Sequence, residues 1–431
     1  MAIRPPLSFL SWAHATTALD TLSEDSSRQV VSHLTHVEDL VLTAPESGQW
    51  TALQTLYLVY QALKGESSGK VNLSVKFDGA PAIIVGTDPA DGQFFVATKG
   101  ALAKTPKIAK TLDDLTRLYS HSPGLLKTMQ VVFKVLQPLS WSGILQGDVM
   151  FTPATKAVQT VDGDSYMTFT PNTITYGVPL KSPLGQRIKQ ATLGVAFHTT
   201  YRGKSLDSMT ASAGASVSGL GAGPDLVLFS SKYPDLSGEA TLTATESRQA
   251  RGYLSTLRRL GEQLRDNAWL RAVRENESLR DLFMQFQNTL VKAGVSHTTY
   301  SPDFLRRWQD FLDQREAKEL ATRKTERGQS GVRQLFTTYR NLTDVGAADL
   351  EEFLDWQDAA VTLKRLLMDK LQRRSQLATF YATDGGLVPG EHEGFVATDR
   401  KGNFVKLVDR ANFSRQNFLF GAMGKAAAAE K

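Results

Sequence analysis

The fold is decided by the stretch Val71-Asn-Leu-Ser-Val-Lys76-Phe-Asp-Gly79 and by the apolar run Ala82-Ile-Ile-Val85 that follows it. Residues 71–75 alternate apolar and polar side chains, as a half-buried strand does. Residues 82–85 are typical of a buried strand, and Phe94-Phe-Val-Ala97 returns as its hairpin partner after a turn sequence. The pattern predicts a strand-turn-strand unit with Lys76 at the end of its first strand.

Helical patterns occupy two other parts of the chain. Residues 31–43 and 49–63 carry apolar side chains at helical spacing. From about 243 to 380 the sequence is charged, helix-forming and poor in glycine, and strand patterns resume after Gly385-Gly386. Because strand-rich segments flank the helical block, we predict an α+β fold, in which a domain of mostly antiparallel sheets is interrupted by a helical insertion.

The predicted boundaries follow from this change of pattern. The first part of the sheet domain, with its N-terminal helices, covers 1–240, the helical insertion 241–384, and the closing part of the sheet domain 385–431. Residues 205–224 are rich in Ser, Ala and Gly, which favours a flexible loop. His33 and His36 are one helical turn apart beside acidic residues, and we interpret them as part of a solvated helix face.

Composition excludes several kinds of chemistry. The chain of 431 residues has no cysteine, which excludes disulfides, thiolate nucleophiles and cysteine-ligated zinc. Its apolar runs are too short to span a bilayer, and its N-terminus does not read as a signal peptide, so we expect a cytosolic protein without a membrane partner. The net charge of +5 mildly favours a phosphate-rich partner.

The strongest chemical signal is Lys76 within Lys76-Phe-Asp-Gly79. A lysine beside a tight Asp-Gly turn can be held rigidly at a pocket wall, and partial burial disfavours its charged form. The neutral amine is a nucleophile, and its natural target is the α-phosphorus of a nucleotide, with a divalent cation offsetting the phosphate charge. Taken alone, the four residues are equally compatible with an ordinary β-turn.

Further short segments follow Lys76 in a fixed order. They are Thr98-Lys-Gly100, Gln146-Gly-Asp-Val149, Val195-Ala-Phe-His198, Glu393-Gly-Phe-Val396 and Phe404-Val-Lys-Leu407. Together with Lys76-Phe-Asp-Gly79 they resemble the ordered motifs of the covalent nucleotidyltransferase superfamily, which includes ATP-dependent RNA and DNA ligases and mRNA capping enzymes. The region from the first predicted helix through the hairpin also resembles an uncharacterised group of tailed-phage proteins, which suggests a phage origin and the host cytoplasm.

The resemblance implies roles for three lysines. Lys76 would attack the α-phosphorus and form a lysyl-nucleotide. Lys99 and Lys406 would neutralise nucleotide phosphates, because charge spread over a transferring group must be met by fixed cations. The alternative interpretation of each is a solvated lysine.

It also implies roles for the carboxylates and for one aromatic residue. Asp78 would orient the lysine or the nucleotide ribose, and Asp148 and Glu393 would bind magnesium or the ribose. Phe197 would stack on the base. The alternatives are a turn residue for Asp78, surface carboxylates for Asp148 and Glu393, and a core phenylalanine for Phe197.

The chain departs from the superfamily pattern at several positions. Phe404 stands where a first lysine is usual, and Asp148 is one methylene shorter than the usual glutamate. The helical block separates Asp148 from Glu393 by 393 − 148 = 245 residues, much more than in most relatives. The segment after Lys406 is too short for the C-terminal OB domain of DNA ligases, and together with the likeness of Thr98-Lys-Gly100 to phage RNA ligases this favours RNA over DNA.

The resemblance therefore predicts an ATP-dependent polynucleotide ligase, RNA ligase-like, that uses ATP and Mg²⁺. It would join 5′-phosphate and 3′-hydroxyl ends of nucleic acid through a lysyl-AMP intermediate. One alternative is a DNA ligase or another nucleotidyltransferase. The other is a non-catalytic phage protein, nucleic-acid-binding or structural, on a decayed ligase fold. Under each alternative the helical insertion could dock a protein partner.

Overall fold

The computed structural model describes residues 35–44, 47–66, 71–217, 219–230, 241–372, 377–383, 385–390, 393–399 and 404–414. Within them, helices combine with antiparallel and mixed sheets, so the protein is of the α+β class, as predicted. Residues 31–34, with His33, lie outside the described residues. No helix in the described ranges has the length and apolar character needed to cross a bilayer.

The α-helices are numbered in chain order. They are α1 (Leu40–Thr43), α2 (Gly48–Leu63), α3 (Leu112–Tyr119), α4 (Pro123–Leu136), α5 (Pro183–Gln190), α6 (Ala244–Gln263), α7 (Ala268–Glu275), α8 (Glu277–Ala293), α9 (Pro302–Thr322), α10 (Glu326–Val345) and α11 (Ala347–Gln372). A 3₁₀ turn, Val37–Asp39, leads into α1. Pro123 begins α4 and separates it from α3.

The strands form three sheets. They are β1 (Val71–Lys76), β2 (Ala82–Thr87), β3 (Phe94–Ala97), β4 (Ile144–Phe151), β5 (Lys156–Val161), β6 (Asp164–Phe169), β7 (Thr175–Pro179), β8 (Leu193–Arg202), β9 (Thr210–Ala213), β10 (Leu226–Ser230), β11 (Ala378–Thr383), β12 (Gly386–Pro389), β13 (Gly394–Asp399) and β14 (Phe404–Leu407). The strand orders are β1-β13-β14, β10-β8-β4-β2-β3 with β9 beside β8, and β12-β11-β7-β6-β5.

The three-stranded sheet brings the two ends of the chain together. β13 lies between β1 and β14, antiparallel to both, with Lys76 opposite Gly394 and Lys406 opposite Val396. Because side chains alternate along strands, Lys76 and Lys406 lie on the same face of this sheet. The opposite face is apolar and carries Leu73, Phe395, Val405 and Leu407.

That apolar face packs on the helical block. The largest hydrophobic core joins it to α2 and to the helices from α6 to α11, with Trp308, Trp356 and Phe353 fully buried. The helical block is therefore the support on which the three-stranded sheet rests. The N-terminal helices, which were predicted as part of the sheet domain, pack with this block, because their apolar residues join the same core.

The other two sheets enclose a second core. Met150, Phe151 and Phe229 of the six-stranded sheet pack against Phe169 and Tyr176 of the five-stranded sheet. Helices α3 and α4 cover the remaining face of the six-stranded sheet, around Val96, Leu145 and Phe197. Gln146 and Asp148 precede Met150 at alternate positions of β4, so they lie on the face of the six-stranded sheet that carries the second core. This face is called the inner face below.

Two sequence predictions are wrong in detail. Strand structure resumes at Ala378, ahead of the predicted boundary at 385, because β11 pairs with β7 and completes the five-stranded sheet. The predicted loop 205–224 contains β9, which forms four backbone pairs with β8. Small residues do not exclude an edge strand when a neighbouring strand supplies the hydrogen-bond partners.

Candidate active site

Lys76 is paired with a carboxylate that lies far away in sequence. Its ammonium donates a hydrogen bond to Oε1 of Glu393, the residue before β13, and the two form an ion pair. The lysine side chain is 27% exposed and the glutamate side chain only 9%. The regions around Lys76 and Glu393 therefore meet despite the helical block between them.

Glu393 has unusual electrostatics for a carboxylate in an ion pair. Burial raises its pKa to about 7, although the positive charge of Lys76 and its hydrogen bond act in the opposite direction. Among the described residues, its Oε2 is buried and accepts no hydrogen bond. One oxygen of Glu393 is thus engaged by the lysine, and the other is an acceptor without a partner among the described residues.

The position of Glu393 depends on the glycine that follows it. Gly394 has φ +146°, a conformation that residues with side chains rarely adopt. A Cβ at this position would lie 2.2 Å from the carbonyl oxygen of Leu407. Only glycine allows β13 and β14 to approach so closely where the carboxylate enters the site.

Lys406 supplies a second cation beside the pair. Burial lowers the pKa of its ammonium, and the positive charge of Lys76 lowers it further. In the part of the chain that the structure describes, no carboxylate lies within ion-pair distance of the Lys406 ammonium. Two lysines on one sheet face, one of them without a salt bridge, create a local excess of positive charge that suits a phosphate group.

The loop after Lys76 is fixed at three successive residues. Phe77 packs into the second core, with its ring centroid 6.1 Å from that of Tyr176 and 6.0 Å from that of Phe229. Asp78 is buried, and Gly79 lies so close to β4 that a Cβ would meet the Cβ of Asp148 at 2.4 Å. The sequence predicted a rigidly held lysine, and these contacts provide the rigidity.

Asp78 uses its carboxylate within the protein. Oδ1 accepts a hydrogen bond from Nδ2 of Asn172 at 2.8 Å, and Oδ2 accepts from the backbone N–H groups of Thr173 and Ile174 at 2.9 and 3.1 Å. Its own backbone N–H donates to the Tyr176 hydroxyl at 2.7 Å. Of the two predicted roles, these contacts favour orientation of Lys76 over contact with a ribose.

Asp148 lies on the inner face of the six-stranded sheet, next to Gly79. Its Oδ2 is 3.4 Å from Nε2 of His198, a residue at an irregularity where β8 shifts register against β4. Lys76 and Gly79 are three residues apart, so their Cα atoms are separated by at most about 11 Å. Asp148 therefore lies against the loop that follows Lys76. His198 was not among the predicted site residues, although it ends the Val195-Ala-Phe-His198 segment.

Lys99 and Phe197 are not part of this arrangement. Lys99 is exposed at the start of a 3₁₀ turn, and it forms no ion pair with any described residue. Phe197 is 3% exposed in the core under α4, in edge contact with Trp141 at 6.1 Å. The prediction that Phe197 stacks on a base is wrong, because helix α4 covers the sheet face on which its ring lies.

A metal ion would need help from a ligand to bind here. No group of three or more histidine and carboxylate side chains suited to a metal occurs in the described ranges. Magnesium sites commonly use only one or two carboxylates and complete their coordination with phosphates and water. The unpartnered Oε2 of Glu393 fits that requirement, and the metal roles predicted for Asp148 and Glu393 stay predictions.

A buried ionic cluster lies near Lys406, and no sequence motif indicated it. The Lys364 ammonium donates to Glu38 at 2.6 Å, and Arg410 donates twice to Asp39, each time at 3.0 Å. His36 forms a backbone bridge with Lys406 and its side chain is only 13% exposed, and this burial lowers its pKa well below the ordinary value. The interpretation of His36 as part of a solvated helix face is therefore wrong.

The fold and site define an α+β protein in which a lysine–glutamate pair and a second lysine share one face of a small sheet supported by helices. The chain belongs to a family of unknown function, DUF6267, whose sequence profile matches residues 31–421. Searches of curated proteins and of solved structures found no match.

Proposed function

We propose that the protein is a covalent nucleotidyltransferase, an ATP-dependent polynucleotide ligase of the RNA ligase type with Lys76 as its nucleophile. One observation carries this proposal. Residues 76, 393 and 406, which belong to three separate motifs of the superfamily that the sequence resembles, converge in one three-stranded sheet. Chance partial matches scattered over the chain would have no reason to meet.

The first chemical step is displacement at the α-phosphorus of ATP. The Lys76 nitrogen forms a P–N bond, the bond between the α-phosphorus and the bridging oxygen breaks, and pyrophosphate leaves with the electron pair of that bond. The nitrogen must be deprotonated before or during attack. Glu393 Oε1 already accepts a hydrogen bond from this nitrogen, so it is placed to receive the proton.

The electrostatics of Glu393 suit this role. A base is most effective when its pKa lies near the working pH. A fully exposed glutamate, with a pKa near 4.5, would be too weak to deprotonate an ammonium, whereas burial raises the pKa of Glu393 to about 7. Lys406 would stabilise the negative charge that develops on the phosphoryl oxygens, because its ammonium has no competing salt bridge among the described residues.

Magnesium would be held by Glu393 Oε2 and the nucleotide phosphates, with Asp148 as a further candidate. When bound, it would neutralise phosphate charge and orient the leaving group. The AMP would then pass from Lys76 to a 5′-phosphate. Attack of a 3′-hydroxyl on the activated end would form the new phosphodiester bond and release AMP.

The proposal is tested by self-labelling. Purified protein is incubated with each α-³²P-labelled nucleoside triphosphate and magnesium, then separated on a denaturing gel. We expect a labelled band with ATP that is absent for Lys76→Ala. The band should survive in Lys110→Ala, a control variant that removes a lysine outside the candidate site. Equal labelling of Lys76→Ala would exclude Lys76 as the nucleophile. A wild-type protein that accepts no nucleotide would favour the decayed-scaffold alternative.

A further inference from the structure

A lysine-rich surface lies beside the site, on segments that carry no acidic residue. The segment 98–109 contains Lys99, Lys104 and Lys107, and the segment 198–206 contributes Lys204. All four lysines are exposed. The 3₁₀ turns Lys99–Leu102 and Leu206–Ser208 pack together and share one small apolar cluster, so the two segments form one continuous surface.

These lysines contrast with several other cations of the molecule, which carboxylates neutralise. None of the four forms an ion pair with a residue that the structure describes. Lys110, which follows the first segment, is neutralised by Asp88 and Asp91, each at 2.6 Å. On the helical block, Arg306, Arg307, Arg323 and Arg340 all pair with nearby carboxylates. The charge of the four lysines is therefore open to a partner from solution.

The surface begins close to the proposed active site. Ala97, just before the first segment, faces Ile84 of β2, and Ile84 in turn faces Gln146 of β4. Two steps between neighbouring strands separate Ala97 from Gln146, about 10 Å. Gln146 is two residues from Asp148. A nucleic-acid strand in helical geometry has a phosphate about every 3.4 Å along its axis, so about three nucleotides would cover this distance.

We propose that Lys99, Lys104, Lys107 and Lys204 bind the phosphate backbone of the polynucleotide strand whose end reaches Lys76. This inference deepens the proposed function and rests on it for the identity of the strand. Exposed lysines on flexible stems contact phosphates as point charges without reading bases. Binding through this surface should accordingly be independent of sequence and strongly dependent on salt.

The test measures binding without requiring catalysis. Fluorescence anisotropy follows a single-stranded RNA, and a DNA of matching sequence, over a series of salt concentrations. The triple variant Lys104→Gln, Lys107→Gln, Lys204→Gln is compared with the control Lys127→Gln, Lys134→Gln, Lys318→Gln, which loses the same charge. In the control, Lys127 and Lys134 belong to α4, which covers the opposite face of the same sheet. Lys99 is left intact so that the surface variant and the control each lose three positive charges.

The expected result is a smaller salt dependence for the surface variant alone. Losing three phosphate contacts should reduce the slope of log Kd against log salt by about 2, and weaken binding at least about tenfold at low salt. Equal slopes for the surface variant and wild type, or an equal loss in the control, would overturn the inference. So would displacement of the RNA by poly-glutamate as readily as by unlabelled RNA, since that would indicate a site for acidic peptides.

The two proposals fail separately. If wild-type protein binds RNA through these lysines but never self-labels, the inference about the lysine surface is supported and the ligase proposal is contradicted. If wild-type protein self-labels and the surface variant binds RNA as tightly as wild type, the ligase proposal is supported and the inference about the surface is contradicted.

Discussion

Two of the lysine–glutamate pairs among the described residues, Lys76–Glu393 and Lys364–Glu38, resemble each other in type and differ in surroundings. In the site, the Lys76 side chain is 27% exposed, and its partner Glu393 keeps one oxygen unpartnered among the described residues. In the core, Lys364 and Glu38 are 1% and 0% exposed, and Oε2 of Glu38 is unpartnered among the described residues as well. Solvent can reach the first pair and cannot reach the second. The exposure of the lysine, and neither the ion pair nor the unpartnered oxygen, therefore distinguishes the two pairs.

The comparison also separates two energetic roles. Removing one partner of a fully buried pair leaves an uncompensated charge in a medium of low polarity. Removing Lys76 leaves a carboxylate that can take up a proton near neutral pH, because burial raises the pKa of Glu393 to about 7. The core pair should therefore govern stability and the site pair should govern chemistry.

The largest expected effect is on stability, at Lys364. Lys364→Ala should lower the free energy of unfolding by about 3–5 kcal/mol, because Glu38 stays buried and unpaired. Lys76→Ala should lower it by less than about 1 kcal/mol. Urea unfolding followed by circular dichroism measures both values.

A double variant controls for the buried charge. Glu38→Gln combined with Lys364→Met removes both charges at nearly constant volume, and should recover most of the stability lost in Lys364→Ala. If Lys76→Ala were as destabilising as Lys364→Ala, the proposed separation of the two pairs would be wrong.

The next effect is on the rate of self-labelling, at Lys406. An interaction made mainly in the transition state lowers the rate more than nucleotide binding when it is removed. Lys406→Ala should slow labelling on the order of a hundredfold. Lys406→Arg keeps the charge with a different geometry, and should recover only part of the rate. If Lys406→Ala labels itself as fast as wild type at saturating ATP, Lys406 does not stabilise the transition state.

A smaller effect should follow from crowding the loop after Lys76. In Gly79→Ala the new methyl group would meet the Asp148 Cβ at 2.4 Å, so the loop or β4 must move. We expect a loss of about 1–3 kcal/mol in stability and a labelling rate reduced about tenfold or more by misplacement of the lysine. The matched control is Gly143→Ala, where a Cβ has no neighbour within 4 Å. Similar rates for the two variants would show that the loop position does not limit the reaction.

A further prediction is a pH dependence of stability caused by Glu393. Its pKa is about 7 in the folded protein and 4.5 when unperturbed. Its protonated form therefore favours folding most below pH 4.5, and this contribution is lost as the pH rises through 7. Glu393→Gln lacks the titration, so its stability relative to wild type should increase as the pH rises through 7. Urea unfolding at a series of pH values in the absence of magnesium measures both proteins, and parallel pH profiles would argue against a raised pKa of Glu393.

The sequence predicted the site better than it predicted the surroundings of the site. Local alternation and turn residues identify β1, β2 and β3 and place Lys76 at a strand end, because these signals depend on neighbours in the chain. The pairing of Lys76 with Glu393 followed from ordered motifs. The burial of Glu38, Asp39 and His36 could not be predicted from the local sequence, because it depends on where α11 and the segment around Arg410 pack.

The errors have a common physical cause. Phe197 lies on the face of β8 that α4 covers, and only tertiary packing decides which of two alternating faces is covered. The prediction placed β11 in the helical block. This strand pairs with β7, which lies about 200 residues earlier in the sequence, so its local sequence did not reveal the pairing. Long-range pairing therefore decides both the surroundings of the site and the boundary of the block.

The most direct test of the central claim is the identity of the modified atom. Wild-type protein is incubated with ATP and magnesium, digested at neutral to alkaline pH to preserve a phosphoramidate, and analysed by tandem mass spectrometry. The account predicts one adenosine monophosphate on the peptide containing Lys76, attached to the lysine side chain, and its removal by pyrophosphate. An adduct on another residue, or none on Lys76 while the protein joins nucleic-acid ends, would contradict it.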